Sequence, residues 1–178
     1  MTKTLMTLTT CVLFVLLNPH PQQSTAKQNQ KPQNMQHCPM MQDAHSQMDA
    51  RGDKAMGFSQ TSTSHHFFLT PSGGVIQVQV NDPSDSQNLD AIRMHLSHIA
   101  QAFAKGNFDI PMFVHDAVPP GVPEMKRLQK EIRYSEESLP IGARVVIVSA
   151  NKTAIDAIHQ FLRFQISEHK TGDSMDIR

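Results

Sequence analysis

The sequence predicts an α+β domain in which a small antiparallel sheet carries helices on one face. Two pairs of strand-like segments each precede a segment with helical periodicity, so the predicted order is ββα(α)ββα. When the helices pack on one side of such a sheet, the apolar stripe of each helix and one face of the sheet are buried together. A segment without Ile, Leu, Val or aromatic residues comes before this pattern and places the start of the domain at Met56.

The first two strands flank a turn over residues 70–74, which is rich in Ser and Gly. Residues 66–69 are mostly apolar, and in residues 75–80 Ile76, Val78 and Val80 alternate with glutamines. Alternation of this kind predicts a β-hairpin with one buried face.

The long helices are predicted from apolar residues at helical spacing. Residues 81–85 supply turn and capping side chains, and a helix over 85–104 follows, ending before Gly106. Its apolar stripe is Leu89, Ile92, Leu96, Ile99 and Phe103. Prolines from Pro111 to Pro123 interrupt the next stretch, and a short helix is expected over 123–131 because proline is tolerated in a first helical turn.

The second pair of strands is predicted over residues 132–135 and 144–149, and the β-branched run at 145–148 is typical of a central strand. Asn151 is the predicted cap of a last helix that ends near Gly172. That helix has the apolar stripe Ile155, Ile158, Leu162 and Ile166.

The first 26 residues have the features of a signal peptide. Lys3 precedes an apolar run over 5–17, and Ser24-Thr25-Ala26 suits cleavage after Ala26. The run is too short for a bilayer span, although an uncleaved anchor is the alternative. We therefore expect an exported protein that is periplasmic or secreted, with a disordered Met-, Gln- and His-rich arm over 27–55, one domain over 56–173 and a tail over 174–178.

The charge balance and the cysteine content limit the classes of partner that this protein is expected to bind. The chain has 16 basic and 16 acidic residues, so no basic surface for nucleic acid is expected. Cleavage of the leader leaves Cys38 as the single cysteine, which excludes an intramolecular disulfide. Cys38 then ligates a metal, pairs with a second molecule or remains a free thiol.

The arm contains a set of ligands for a soft metal ion. Thiolate, thioether and imidazole groups together favour Cu(I) over Mg or Ca. The candidate ligands are Met35, His37, Cys38, Met40, Met41 and His45. The alternative is a polar linker in which these residue types coincide by chance.

The domain contains a second group of candidate ligands. His95 and His98 are three residues apart on the predicted helix and flank its core stripe, whereas adjacent His65 and His66 point to opposite faces of a strand. If Met56 and one of the latter pair converge with His95 and His98, they form an N/S site suited to copper more than to zinc. The alternative is a set of solvated helix histidines. His159 and His169 are expected to face solvent or its boundary.

No motif predicts catalysis. The sequence lacks a Gly-x-Ser-x-Gly elbow, a phosphate-binding glycine loop and a His-Glu-x-x-His helix. A metal hydrolase would need a carboxylate such as Asp116 or Glu124 beside the histidines. We therefore expect a protein that is not an enzyme.

Two resemblances add to this interpretation. The segment His37-Cys38-Pro39-Met40-Met41 is similar to the Cys-Pro-Met-His segment of heavy-metal-binding domains in copper-exporting ATPases and efflux adaptors, with Met41 where those domains have His. The region from Met56 to Asp173 resembles a family of small exported bacterial proteins through the phrases MGFSQTSTSHHFFL and AIRMHLSHIAQAF. That family resemblance implies a bacterial domain that is exported or envelope-facing, and it implies no mechanism.

The sequence thus predicts an exported metal-binding protein for copper sequestration, delivery or resistance. The alternative is a periplasmic interaction or adaptor domain that uses the open side of its sheet. A metal-dependent hydrolase is the third hypothesis.

Overall fold

The computed structural model describes the backbone from Pro39 to Arg178 and the side chains from Ser46 onward. The predicted α+β class and the ββα(α)ββα order are confirmed. The elements in chain order are α1 (Pro39–Met56), β1 (Thr63–Thr70), β2 (Gly73–Val80), α2 (Ser86–Ala104), α3 (Asp109–His115), α4 (Val122–Arg127), a 3-10 turn (Gln129–Glu131), β3 (Ile132–Leu139), β4 (Gly142–Ser149) and α5 (Lys152–His169). None of these helices is both long and apolar enough to cross a bilayer.

The sheet has the strand order β1-β2-β4-β3, and all neighbouring strands are antiparallel. The β-branched strand β4 is therefore internal, as predicted. Alternate residues of β2 and β4 are buried, whereas only Ile132 is buried in the edge strand β3. Helix α2 packs against β3 and β4, and α5 packs against β1 and β2. Helices α2 and α5 thus form one layer over the sheet.

Three aromatic rings pack together between the two long helices. The ring centroids of Phe103 and Phe108 are 4.3 Å apart, and Phe161 lies edge-on at 5.9 Å from Phe103. All three are buried. Rings of this size contribute a large part of the apolar area in a small core, so this cluster fixes α2 and α5 relative to the sheet.

Capping side chains fix where the long helices begin. Asp85 accepts a hydrogen bond from the backbone N–H of Asn88 at 3.1 Å and starts α2. Asn151 accepts from the backbone N–H of Thr153 at 2.8 Å and starts α5, as predicted. These bonds satisfy donors that have no partner inside the helix.

Helix α1 lies within the segment for which the sequence predicts a disordered arm. Its Met48 is buried, and Arg51 donates from Nε to the carbonyl of Val114 at 2.8 Å. Gln60 donates to the carbonyl of Asp49 at 2.7 Å. Hydrogen bonds to the folded domain therefore help to hold this helix in place, although the segment has few apolar residues to bury. Amino-acid composition alone does not reveal these bonds.

Helix α3 occupies a stretch that the prolines were expected to interrupt. Pro111 is the third residue of α3, within the first turn, where its missing N–H would have no helical partner. The helix ends at Asp116, which has φ of 51°. This short helix is what places His115.

The last residues also differ from the expected tail. Ile177 bridges to Leu69 in parallel, and the backbone N–H of Arg178 donates to the carbonyl of Leu69 at 3.0 Å. The chain end therefore lies along the outer edge of β1, an edge strand whose backbone groups would otherwise face solvent.

Candidate metal centre

Four histidines line one cavity of about 70 Å³ between the helices and the sheet. Its wall is otherwise mostly apolar. The side chains that carry nitrogen or sulfur in this wall are Met56, His65, His95, His115, Gln165 and His169.

Each of the five imidazole and thioether groups comes from a different element. His65 is on the helix-facing side of β1, and His95 is on α2 one residue before buried Leu96. Met56, His115 and His169 are the last residues of α1, α3 and α5. The ends of three helices therefore meet at the face of one strand and the flank of another helix.

The rings lie at separations that suit a shared ion. The centroids of His115 and His169 are 5.1 Å apart with planes at 75°, and those of His65 and His169 are 5.8 Å apart and nearly parallel. Two imidazoles on one tetrahedral ion, with metal–nitrogen bonds near 2.0 Å, have centroids about 5 Å apart. His169 is thus adjacent to two further candidate ligands.

Phe58 contacts both His65 and His95, the remaining histidine of the cavity. Its ring stacks on His65 at 5.9 Å and meets His95 edge-on at 5.6 Å. The ring is buried, so it provides an apolar contact to both imidazoles.

This apolar environment keeps His65 and His95 neutral at pH 7. Burial is the main cause that lowers the pKa of His65 to about 4, and the nearby His95 and His66 make smaller contributions. Burial also lowers the pKa of His95 to about 4, with a smaller contribution from His98. Desolvation disfavours the imidazolium, and the neutral ring is the form that binds metal ions.

His115 has one ring nitrogen engaged and the other open. Its Nε2 lies 3.1 Å from Oε1 of buried Gln165. Because that oxygen only accepts, Nε2 carries the proton and Nδ1 carries the lone pair. Within the described part of the chain, Nδ1 is buried without a hydrogen-bond partner. Burial lowers the pKa of His115, although the bond to Gln165 opposes this.

The described side chains do not form a ready-made chelate. From Ser46 onward, no three His, Cys, Asp or Glu side chains are grouped closely enough to hold an ion as they stand. Binding one ion at this cavity would therefore require rotation of imidazoles about their χ angles.

Two of the predicted ligands lie outside this cavity. His66 faces away from it, as expected for a neighbour of His65 in a strand, and its Nδ1 is 3.1 Å from Oδ1 of Asp173. His98 is exposed and lines a separate hollow with Asn107 and Asp109. The three-residue spacing of His95 and His98 therefore spreads them over two hollows and does not place them in one.

His159 does not face solvent, contrary to the prediction. It is buried, and its Nε2 lies 2.9 Å from the carbonyl oxygen of Thr70. The bond joins α5 to the last residue of β1, so His159 has a structural partner.

The carboxylates considered for hydrolysis lie elsewhere. Asp116 is exposed after α3, and Glu124 accepts a hydrogen bond from Nε of Arg127 at 2.9 Å. The arm candidates Met35, His37 and Cys38 lie outside the described residues, and the side chains of Met40, Met41 and His45 are not described. The hypothesis of an arm site therefore stays a prediction.

Sequence reasoning did not place His115, Gln165 or His169 in the site. The position of His115 depends on α3, which the prolines concealed. Gln165 follows Leu162 by three residues, and His169 follows Ile166 by three, so both lie along the apolar stripe of α5. Their spacing of three residues from Leu162 and Ile166 is the signal that could have identified both.

Comparison with protein-family models, curated proteins and solved structures found no match to this chain.

Proposed function

We propose that the folded domain binds copper at the histidine cavity. The observation that carries the proposal is the meeting of four imidazoles and the Met56 thioether, from five separate elements, around one apolar space. Imidazole suits Cu, Zn, Fe and Ni, and a thioether shifts the preference toward copper. Zinc is the less favoured ion.

The size of the cavity supports an ion over an organic ligand. About 70 Å³ is well below the roughly 150 Å³ at which an apolar cavity accepts benzene. An ion with one or two waters needs less room. The lowered pKa values of His65 and His95 add support, since neither ring must lose a proton before it binds.

The orientation of His115 also supports the proposal. A metal-bound histidine usually donates its other N–H to an oxygen acceptor, which fixes the ring and its tautomer. The bond from Nε2 of His115 to Gln165 has this form and leaves Nδ1 for the metal. An unpartnered buried nitrogen is otherwise costly, so a ligand accounts for its position.

Together with the leader predicted over residues 1–26, this site suggests a role in copper sequestration, delivery or resistance outside the cytoplasm. The arm ligands, including Cys38, would form a separate thiol-dependent site. Titration with Cu(I) against a competing chelator tests the domain site: His95→Asn should weaken binding at least about tenfold, whereas the exposed His98→Asn should not.

A second function is favoured by the open face of the sheet. Phe68, Val75 and Val146 are cross-strand neighbours on the face that α2 and α5 leave uncovered. Each is partly exposed. A protein partner that binds equally well in the presence of a chelator, and is lost on Val146→Lys, would support an adaptor function instead.

A further inference from the structure

We propose that a polar hollow beside the histidine cavity is an outer copper site, with His66 as its exposed ligand, through which the ion reaches the cavity. This inference rests on the proposed copper binding at the histidine cavity, because an ion bound there needs a route from solvent.

The hollow has a volume of about 340 Å³ and a mainly polar wall. It lies where the start of β1, α1 and the segment after α5 come together. His65 and His169 line both this hollow and the inner cavity. The two parallel imidazoles, 5.8 Å apart, therefore form the partition between the two spaces. An ion held by either ring can pass inward by rotation of that ring.

His66 is oriented to bind an ion at the outer side of this partition. Asp173 accepts from Nδ1 of His66 at 3.1 Å through one carboxylate oxygen, and from the backbone N–H of Phe67 at 2.9 Å through the other. Since a carboxylate accepts, Nδ1 of the neutral ring carries the proton and Nε2 carries the lone pair. This is the carboxylate–histidine arrangement that orients metal ligands.

The exposed fractions of the His66 and Asp173 side chains fit a metal site on the solvent side of the partition. The side chain of His66 is 35% exposed, whereas that of Asp173 is 9% exposed. The orienting group is thus fixed and the ligand is accessible. The lining residues Asp49, Thr63 and Thr171 add oxygen atoms to the wall.

The apolar nature of the inner cavity explains why an outer site is needed. A hydrated ion that entered directly would lose its water before gaining ligands, and uncompensated loss of hydration is costly. In the hollow, the ion exchanges water for Nε2 of His66 first and for His65 or His169 next. Such a step lowers the barrier for uptake and release alike and leaves the equilibrium affinity unchanged.

The test is stopped-flow uptake of Cu(II) by the full chain, followed by the absorbance of the copper–imidazole complex. His66→Ala should slow uptake and release by about tenfold or more while the dissociation constant changes less than about twofold. Asp173→Asn should act in the same direction, because its amide oxygen keeps the bond to Phe67 while its NH₂ group faces Nδ1 and removes the lone pair from Nε2. His98→Ala, an exposed histidine outside both spaces, is the matched control.

The possible outcomes separate the two proposals. A wild-type chain that binds no copper at the cavity removes both of them. Stoichiometric binding by wild type with an unchanged rate in His66→Ala overturns the outer site alone. Loss of equilibrium affinity in His66→Ala as large as that in His65→Ala also overturns it, because His66 would then be an inner ligand.

Discussion

His115 and Gln165 are joined by a hydrogen bond of 3.1 Å between Nε2 and Oε1 in the wall of the histidine cavity. The bond decides which nitrogen of His115 is available. It connects the end of α3 to the last turns of α5, two elements that are 50 residues apart in sequence at these positions.

Replacing Gln165 tests this relationship. Gln165→Leu removes the acceptor and should weaken copper binding about 10- to 100-fold, as expected for loss of a group that orients a ligand. Gln165→Glu keeps an acceptor oxygen and should retain most of the affinity. Competition titration measures both, and ¹⁵N chemical shifts of the metal-free protein report the tautomer of His115. Equal affinity in the Leu variant and wild type would contradict the assigned role.

Stability should fall as the solution is acidified from pH 6.5 to 4. The folded-state pKa values of His65 and His95 are lowered to about 4, so the unfolded chain binds more protons in this range. Stability from these groups is therefore complete above the unfolded pKa of about 6.5 and is lost toward pH 4, by up to about 3 kcal/mol for either histidine taken alone.

Urea unfolding at pH 7 and pH 4.5 measures this loss. His95→Asn should reduce the difference between the two pH values, whereas His98→Asn should leave it nearly intact because that side chain is exposed. The account of the buried imidazoles would be contradicted by the same pH dependence in His95→Asn and wild type.

Tyr134 offers a test of buried polar groups outside the cavity. Its hydroxyl is buried and has no hydrogen-bond partner among the described residues, and burial raises its pKa. Tyr134→Phe removes this unpaired group and keeps the ring that packs edge-on against Phe103. The free energy of unfolding should stay the same or rise by about 1 kcal/mol. A clear loss of stability in urea titration would show that the hydroxyl has a partner.

Gly121 should tolerate no side chain. It has φ of 82°, and a Cβ there would lie 2.1 Å from the carbonyl oxygen of Ala157 on α5. Gly121→Ala should therefore lower stability by about 2 kcal/mol or more, since both the backbone conformation and the close approach oppose it. Gly57→Ala is a matched control, because Gly57 also has positive φ but no atom within 4 Å of the added carbon. Thermal unfolding of the two variants separates the destabilisation caused by the contact with Ala157 from the destabilisation caused by backbone strain.

The sequence predicts the fold well because its signals are local. The alternation through Val78 and Val80, the stripe through Ile92 and Leu96, and the cap at Asn151 each depend on a few neighbouring residues. The site is predicted only in part, since Met56, His65 and His95 converge while His66 and His98 do not. His115 and His169 come from helix ends whose meeting depends on tertiary packing, which residue spacing does not encode.

Copper stoichiometry of cavity variants tests the central claim most directly. In a Cys38→Ser background, which removes the predicted thiol site, His65→Asn/His169→Asn should lose one bound copper per chain relative to its parent. His66→Asn/His98→Asn, with two substitutions outside the inner cavity, should keep that copper at equilibrium. Unchanged copper content in the His65/His169 variant would show that the cavity does not bind the ion.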